Sequence, residues 1–211
     1  MYGRQLEGET LSFGHEGILY ENSFVMYDRK TESLWVHVTG RAVWGPLKGK
    51  QLEFVPSTVT RWQQWKAAHP RTLVLPGFRR GGFMGTYHGL TRPEDLGLAV
   101  VVRFRGTLYP FAALERAPVV NDRFEDTPLL VYWSKADGTA VAWRRVVGGR
   151  ELTFERRAGG LHDRETGTRW SWLRGEAVAG RLRGERLEPV SHNPILVERF
   201  RAFYPDGPVH P

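Results

Sequence analysis

The chain has 211 residues, no cysteine, and 30 Lys and Arg against 23 Asp and Glu, which gives a formal net charge of +7. The absence of cysteine excludes a disulfide framework and a thiolate metal site, and the length suffices for one large or two small domains. No apolar run reaches the roughly 18 residues of a membrane span, and no secretory leader is recognisable. We therefore expect a cytoplasmic protein without a membrane partner.

The first part of the chain predicts a β-meander followed by one helix. β-branched and aromatic residues alternate there between turns that contain glycine or proline. The expected strands are residues 2–8, 10–14, 17–20, 24–28, 34–38, 41–44 and 51–55. Thr60 and Gln63 form a capping-box pattern at the start of a helix that Pro70 ends, with Trp62 and Trp65 on one face.

The rest of the chain predicts a loop, more strands and two further helices. Residues 76–96 are rich in Gly and polar residues and predict a long loop. Strands are expected at 98–105, 119–120, 128–133 and 139–145, a turn at 105–106, a short helix at 110–116 and a hairpin turn at 147–150. Asn193 as N-cap and Pro194 as first helical residue predict the last helix, with Phe200 and Phe203 on its buried face.

An internal repeat relates the two ends of the chain. At an offset of 135, residues 27–54 align with residues 162–189, with 12 identities in 28 positions. Further upstream, residues 11–13 align with residues 152–154 at an offset of 141. The first copy therefore carries six extra residues between Phe13 and Tyr27. A two-copy period of this length is not a solenoid, which needs three or more short units.

The repeat predicts a duplicated fold. We expect an α+β, β-rich class in which two meander-plus-helix halves pack by pseudo-two-fold symmetry around one core. The first half is expected at 1–75 and the second at 141–211, with a linker loop and central bridging strands at 76–140. A site would then be expected at the interface of the halves, where the 76–96 loop and the 14–23 insertion could converge.

Four segments together resemble a known protein family. They are the Phe-Gly…Tyr-Asp-Arg-x-Thr-x-Ser-x-Trp run, the Gly-x-Leu-x-Gly-x-x-Leu-Glu that follows, the Trp-x-x-Trp-x-x-x-His-Pro helix and Val119-Val120-Asn121-Asp122. Over nearly its whole length the chain resembles the bacterial and archaeal domain of unknown function family 3179, an uncharacterised family. The resemblance implies architecture and no assigned activity. Members usually carry a Cys-containing segment before the position of Tyr2, and this sequence starts after it, so either the sequence is truncated or this branch has lost the segment.

The repeated Asp-Arg-x-Thr sequence has two interpretations. In the functional one, Asp28 and Asp163 act as bases or ligands, while Arg29 and Arg164 bind an anion. In the structural one, each Asp begins a hairpin turn and accepts hydrogen bonds from the backbone and from the Thr hydroxyl, and a Trp packs across the strands. The structural interpretation is favoured, because both copies need the same fold.

The insertion in the first copy is a better place to expect a specialised site. His15 and Glu16 lie between glycines and are candidate catalytic residues, as a general acid and base in a pocket. Asn22, in the same segment, is a candidate ligand-binding residue. The alternative is an ordinary longer hairpin with exposed polar side chains.

Further candidates lie in the 76–96 loop and among the tryptophans. The glycine-rich stretch 81–85 lacks the ending of a P-loop, but its neighbours could close over a ligand. These candidate ligand-binding residues are Arg79, Arg80, Tyr87 and His88. Trp44 and Trp172 have no match in the other copy, and either could line a sugar- or base-stacking surface, whereas most tryptophans, Trp35, Trp62, Trp65, Trp133 and Trp170 among them, are expected in packing.

Three functions are compatible with these patterns. The preferred one is a binding module for a small polar or anionic ligand, because arginine is abundant and no catalytic signature occurs. The second is an enzyme with an acid–base site at His15 and Glu16. The third is polyanion binding through residues 141–187, which hold eleven Arg and six acids, although no nucleic-acid motif is present. No histidine spacing is typical of a metal site, so neither a metal nor a cofactor is expected.

Overall fold

The fold is β-rich, as predicted, and consists of several antiparallel sheets with a few short helices. The computed structural model describes residues 1–74 and 93–211, apart from the side chains of Glu16 and Pro93. These residues form two compact units. The first unit comprises Met1–Ser57 with Glu198–Gly207, and the second comprises Thr58–Val197 with Pro208–Pro211. The domain boundaries predicted near residues 75 and 140 stay a prediction.

The secondary-structure elements are short and follow one another closely. Up to residue 74 they are β1 (Gln5–Leu6), β2 (Glu9–Thr10), β3 (Phe13–Tyr20), β4 (Ser23–Asp28), β5 (Leu34–Val36), β6 (Arg41–Trp44) and α1 (Trp62–Ala68). After a 3-10 turn at Pro93–Asp95 they are β7 (Leu96–Val102), β8 (Arg105–Pro110), α2 (Phe111–Arg116), β9 (Val119–Phe124), β10 (Thr127–Ser134) and β11 (Thr139–Arg144). The last are β12 (Val146–Val147), β13 (Arg150–Glu151), β14 (Phe154–Arg157), β15 (Gly160–Asp163), β16 (Arg169–Ser171), β17 (Glu176–Ala179), β18 (Glu188–Pro189), β19 (Ser191–Leu196) and α3 (Val197–Phe203).

The first unit is built on the antiparallel sheet β3-β4-β5-β6, with the hairpin β1-β2 beside it. Its core contains Leu11, Trp35, Ala42 and Leu52, all buried. The ring of Phe13 packs edge-on against Trp35, with 5.8 Å between the ring centroids. Because side chains alternate across a strand, the same sheet presents a second face, which carries the tryptophan-containing groove described below.

The second unit contains a sheet that is buried on both faces. In β10, Leu129, Val131 and Trp133 join one apolar cluster with residues of β7, β8 and α2. The intervening Leu130 and Tyr132 join another cluster with residues of β14–β17. A near-continuous apolar strand is what two-sided burial requires.

The local structure of the repeat is the same in both copies. We call residues 2–54 the first copy and residues 143–189 the second copy. Four buried positions of the first copy recur in the second, as Leu11/Leu152, Trp35/Trp170, Ala42/Ala177 and Leu52/Leu187. The six extra residues lengthen the β3–β4 hairpin, whereas its counterpart β14–β15 is short. This recurrence supports the internal duplication.

Two equivalent glycines show how closely the copies match. Gly40 and Gly175 have φ of +65° and +63°, and a Cβ at either position would collide with an aromatic ring, of Tyr2 or of Trp143. We expect Gly40→Ala to lower the free energy of unfolding by about 2–4 kcal/mol, from left-handed strain plus the steric clash. Gly49→Ala is the control, since Gly49 also has a positive φ but no neighbour near its Cβ, and should cost about 1 kcal/mol in urea unfolding. Equal losses would contradict this reasoning.

The predicted capping of two helices is wrong. Asn193 and Pro194 lie in β19 and pair with Ala99 and Leu98, and the helix begins only at Val197. A proline is tolerated there because β19 is an edge strand of the sheet β19-β7-β8. The N-cap of α1 is Arg61, without a side-chain cap. The Thr60 hydroxyl instead accepts a hydrogen bond from the Thr139 hydroxyl at 3.2 Å.

The structure corrects two further expectations. No residue of α1 is buried, so Trp62 and Trp65 are not core residues, whereas Trp35, Trp133 and Trp170 are. The turn between β7 and β8 lies at Arg103-Phe104, both with positive φ, and not at residues 105–106. In residues 1–74 and 93–211, no helix has the length and apolarity needed to cross a membrane.

Candidate functional site

The side chain of Asp28 is the centre of a hydrogen-bond network at the β4–β5 turn. Its Oδ1 accepts hydrogen bonds from the backbone N–H of Thr31 at 2.7 Å and of Lys30 at 3.2 Å. Its Oδ2 accepts one from the Thr31 hydroxyl at 2.8 Å and one from the Trp35 indole at 3.0 Å. Asp28 has no exposed surface. Both oxygens of the carboxylate therefore accept hydrogen bonds from groups within the fold.

The second copy reproduces this network. Asp163 accepts hydrogen bonds from the Thr166 backbone N–H at 2.6 Å and from the Trp170 indole at 2.9 Å, and it is equally buried. The Thr166 hydroxyl also contacts Asp163 at 2.8 Å. The backbone and Thr hydroxyl bonds are those that the structural interpretation of the Asp-Arg-x-Thr sequence predicts, and the indole bond is an addition to them.

The network also affects the pKa of Asp28. Burial alone would raise the pKa of this carboxyl, because the charged form loses its hydration. Hydrogen bonds from Trp35, Thr31 and Lys30 outweigh burial and hold the pKa below its usual value. Asp28 is thus an ionised structural group rather than a base available to a substrate.

The opposite face of the first-unit sheet carries a row of side chains that the register brings together. Gly14 pairs with Tyr27, Tyr27 with Leu34, and Leu34 with Trp44. A β-bulge between β5 and β6 shifts the register, so that Trp44 follows Leu34 on this face while Ala42 stays opposite Trp35 in the core. The Trp44 side chain is 61% exposed.

This row forms one wall of an open groove, which we call the tryptophan groove. It has a volume of about 660 Å³ and is lined by His15, Tyr27, Glu32, Leu34 and Trp44. His15 is exposed, and its ring lies 4.6 Å from that of Phe24. Tyr27, Leu34 and Trp44 give the groove apolar surface, and His15 and Glu32 add polar groups to it.

Arg29 contacts Tyr27, one of the residues that line the tryptophan groove. Its guanidinium donates a hydrogen bond to the Tyr27 hydroxyl at 3.2 Å and lies 5.6 Å from the centroid of the same ring. It makes no ion pair with any described residue. In the second copy, Arg164 binds the Glu155 carboxylate at 2.7 Å.

The difference between the two arginines has a simple cause. The residue that corresponds to Glu155 in the first copy is Gly14, and the Tyr27 ring covers it so closely that a Cβ would not fit. In the second copy, hydrogen bonds from Arg157 and Arg164 lower the pKa of Glu155, which keeps this partner ionised. Among the described residues, Arg29 thus lacks the ion pair that Arg164 makes in the second copy.

The remaining predicted residues lie elsewhere or outside the described atoms. Asn22 is exposed at the tip of the β3–β4 hairpin, where Glu21 and Asn22 both have positive φ, and it lines neither the tryptophan groove nor the other described groove. The side chain of Glu16 is outside the description, and so are Arg79, Arg80, Tyr87 and His88.

Sequence reasoning identified His15, Arg29 and Trp44 separately but missed that His15 and Trp44 line one groove and that Arg29 contacts Tyr27 of that groove. It also missed Tyr27, Glu32 and Leu34 as groove residues. Aligning the two hairpins at the offset of 141 pairs Gly14 with Glu155, and this exchange was the available signal. The contribution of Trp44 required knowledge of the bulge.

Many arginines of the basic second copy are already neutralised. Among the eleven Arg in residues 141–187, at least six form ion pairs, and these are Arg144, Arg145, Arg157, Arg164, Arg174 and Arg186. Paired charges contribute less to the long-range attraction of a polyanion. Polyanion binding stays a prediction with less free charge than the composition suggests.

In the part of the chain that the structure describes, no group of three or more His, Asp and Glu is placed to hold a metal ion.

The comparisons with known proteins give one family. No curated protein and no solved structure matched the chain. A family model described as "Protein of unknown function (DUF3179)" matches residues 1–101 and again residues 91–210, which agrees with a duplication. The chain therefore belongs to the DUF3179 family.

Proposed function

We propose that the protein is a binding module for a small polar ligand that carries a flat ring and an anionic group, and that the ligand occupies the tryptophan groove. The ring would stack on the exposed Trp44, and the anionic group would bind Arg29. The observation that carries the proposal is the Gly14/Glu155 exchange, which leaves Arg29 without the carboxylate that Arg164 has.

Physical reasoning supports this choice of ligand. An exposed tryptophan offers a large apolar face with low conformational cost, and stacking of a ring on it contributes about 1–3 kcal/mol. A guanidinium binds carboxylates and phosphates through two parallel hydrogen bonds. Glu32 and His15 line the same groove and can select for hydroxyl or amino groups on the ligand.

The test is a thermal-shift panel of nucleoside monophosphates, aromatic carboxylates and uronic acids, followed by calorimetric titration of every compound that raises the Tm. We expect Arg29→Gln to weaken a confirmed ligand by about tenfold or more, because a charge-assisted hydrogen bond is lost. Arg164→Gln is the matched control in the second copy and should leave the affinity unchanged. Equal weakening by both variants would contradict the site.

The same titration tests the stacking surface. Trp44→Ala should weaken the ligand by about fivefold to a hundredfold, in line with the loss of one stacked ring. Trp62→Ala removes an exposed tryptophan outside the groove and should have no effect. A panel without any compound that raises the Tm would overturn the proposal.

Other expectations from the sequence stay predictions beside this one. They are a ligand site at the interface of the repeat halves, pseudo-two-fold packing of those halves, an acid–base site at His15 and Glu16, and a cytoplasmic location. The titrations above do not depend on any of them.

A further inference from the structure

A second groove lies on the first unit and shares no lining residue with the tryptophan groove. It has a volume of about 380 Å³, and its floor is apolar, with Val36, Val43 and Phe203 among its lining residues. Tyr20, which belongs to the lengthened β3–β4 hairpin and is half exposed, forms one side. We call it the cationic groove, because Arg41 and Lys48 line it and no acidic residue does.

The two cations are not neutralised within the described residues. Arg41 and Lys48 are exposed, and neither forms an ion pair with a described side chain, whereas the nearby Lys50 is paired with Glu7. The Thr39 hydroxyl, also in the groove, accepts a hydrogen bond from the Arg41 backbone N–H at 3.4 Å. The groove is thus lined by two cations, one hydroxyl and several apolar side chains.

The second copy shows that this charge is not a requirement of the fold. Glu176 occupies the position that corresponds to Arg41, and Arg174 and Arg186 lie 3.5 Å and 3.8 Å from its carboxylate. There the Glu176 carboxylate offsets part of the charge of the two guanidinium groups. In the first copy the carboxylate is replaced by a guanidinium, so the anion that would balance it is absent from the described chain.

We propose that the cationic groove binds an amphiphilic organic anion, whose carboxylate or phosphate contacts Arg41 and Lys48 while its apolar body covers Val36, Val43 and Phe203. Burial of apolar surface and two charge-assisted contacts act on the same molecule, so neither half of the ligand suffices alone. The second copy has no counterpart of Tyr20, because it lacks the hairpin extension. A groove with this side is therefore specific to the first copy.

The test is a titration of the ¹⁵N-labelled protein followed by NMR, with n-octanoate and n-octyl phosphate below their micellar concentrations. Both probes should shift the amides of Thr39, Gly49 and Phe203, and the tighter of the two identifies the preferred head group. Acetate lacks the body and n-octanol lacks the charge, and each should bind about tenfold or more weakly. Octanol that binds as tightly as octanoate would overturn the proposal, as would shifts confined to other residues.

Variants complete the test. Arg41→Gln with Lys48→Gln should weaken octanoate by about tenfold or more, while unfolding in urea stays near wild type because both side chains are exposed. Arg183→Gln, which corresponds to Lys48 in the second copy, is the control and should retain full affinity. Arg29→Gln should also retain it, so failure here and failure of the tryptophan groove are distinguishable. If Arg183→Gln weakened octanoate binding as much as the double variant does, the result would contradict the site.

Discussion

Replacing Asp28 by alanine is expected to lower the free energy of unfolding by about 3–5 kcal/mol. The substitution removes the acceptor of two backbone N–H groups, one hydroxyl and one indole N–H, which come from Lys30, Thr31 and Trp35. Trp35 has no exposed surface, so water cannot take the place of the carboxylate without opening the core. A loss of this size approaches the total stability of many domains.

Urea unfolding measures the loss, and hydrogen exchange at the amides of residues 28–36 locates it in the first unit. Asp28→Asn keeps one acceptor oxygen and should cost less than alanine. Lys30→Ala changes an exposed residue of the same turn and should stay within about 0.5 kcal/mol of wild type. If Asp28→Ala were no more harmful than Lys30→Ala, the network would not be structural. Asp163→Ala should repeat the effect in the second unit.

The second large effect is a loss of stability on mild acidification, caused by His192. This ring is buried in the second unit, with its Nδ1 2.7 Å from the Val190 carbonyl oxygen and its Nε2 3.4 Å from the Thr58 hydroxyl. Burial lowers the pKa of His192 to about 4, and the hydrogen bond to Val190 only partly opposes this. The folded protein therefore holds His192 neutral at pH values where the unfolded chain is protonated.

The sign and the window of the effect follow from these two pKa values. Between about pH 6.5 and pH 4 the unfolded chain binds a proton that the folded chain does not bind. The free energy of unfolding is thus highest above this window and falls by about 3 kcal/mol as the pH is lowered through it. Asp28 acts at lower pH, because its lowered pKa gives stability that is lost only below about pH 4.

Urea unfolding from pH 8 to pH 4 measures this dependence. His192→Gln should remove most of the decrease in the free energy of unfolding between pH 6.5 and pH 4, whatever the stability of this variant at pH 8. His162→Gln changes a partly buried histidine of the same unit and should retain the slope. An unchanged slope in His192→Gln would assign the acid sensitivity to other groups.

The parts of the fold that the sequence predicted depend on contacts between near neighbours. The Asp28 turn closes within seven residues, and its twin at Asp163 repeats the residue types, so the hydrogen bonds from the backbone and the Thr hydroxyl could be inferred without coordinates. The bond from the Trp indole was not inferred. The Gly148-Gly149 hairpin turn was predictable for the same reason. The β-rich class followed from strand-like alternation throughout both copies.

The parts that were missed depend on partners far away in sequence. Asn193-Pro194 has the composition of a helix start, but pairing with β7, almost a hundred residues away, makes it an edge strand. Likewise, the Thr60 hydroxyl accepts a hydrogen bond from the Thr139 hydroxyl and does not cap a helix. The tryptophan groove needed the strand register around Gly14 and the bulge beside Trp44, and no local pattern specifies either.

The bulge between β5 and β6 recurs between β16 and β17, where Ala179 stands in the place of Trp44. An extra residue at this point uncouples the outward-facing position from the buried alanine two residues earlier. Selection can therefore exchange the outward residue, even for one as different as tryptophan and alanine, without a compensating change in the interior. This outward-facing position of the hairpin can therefore change with little effect on folding, and protein engineers can vary it in the same way.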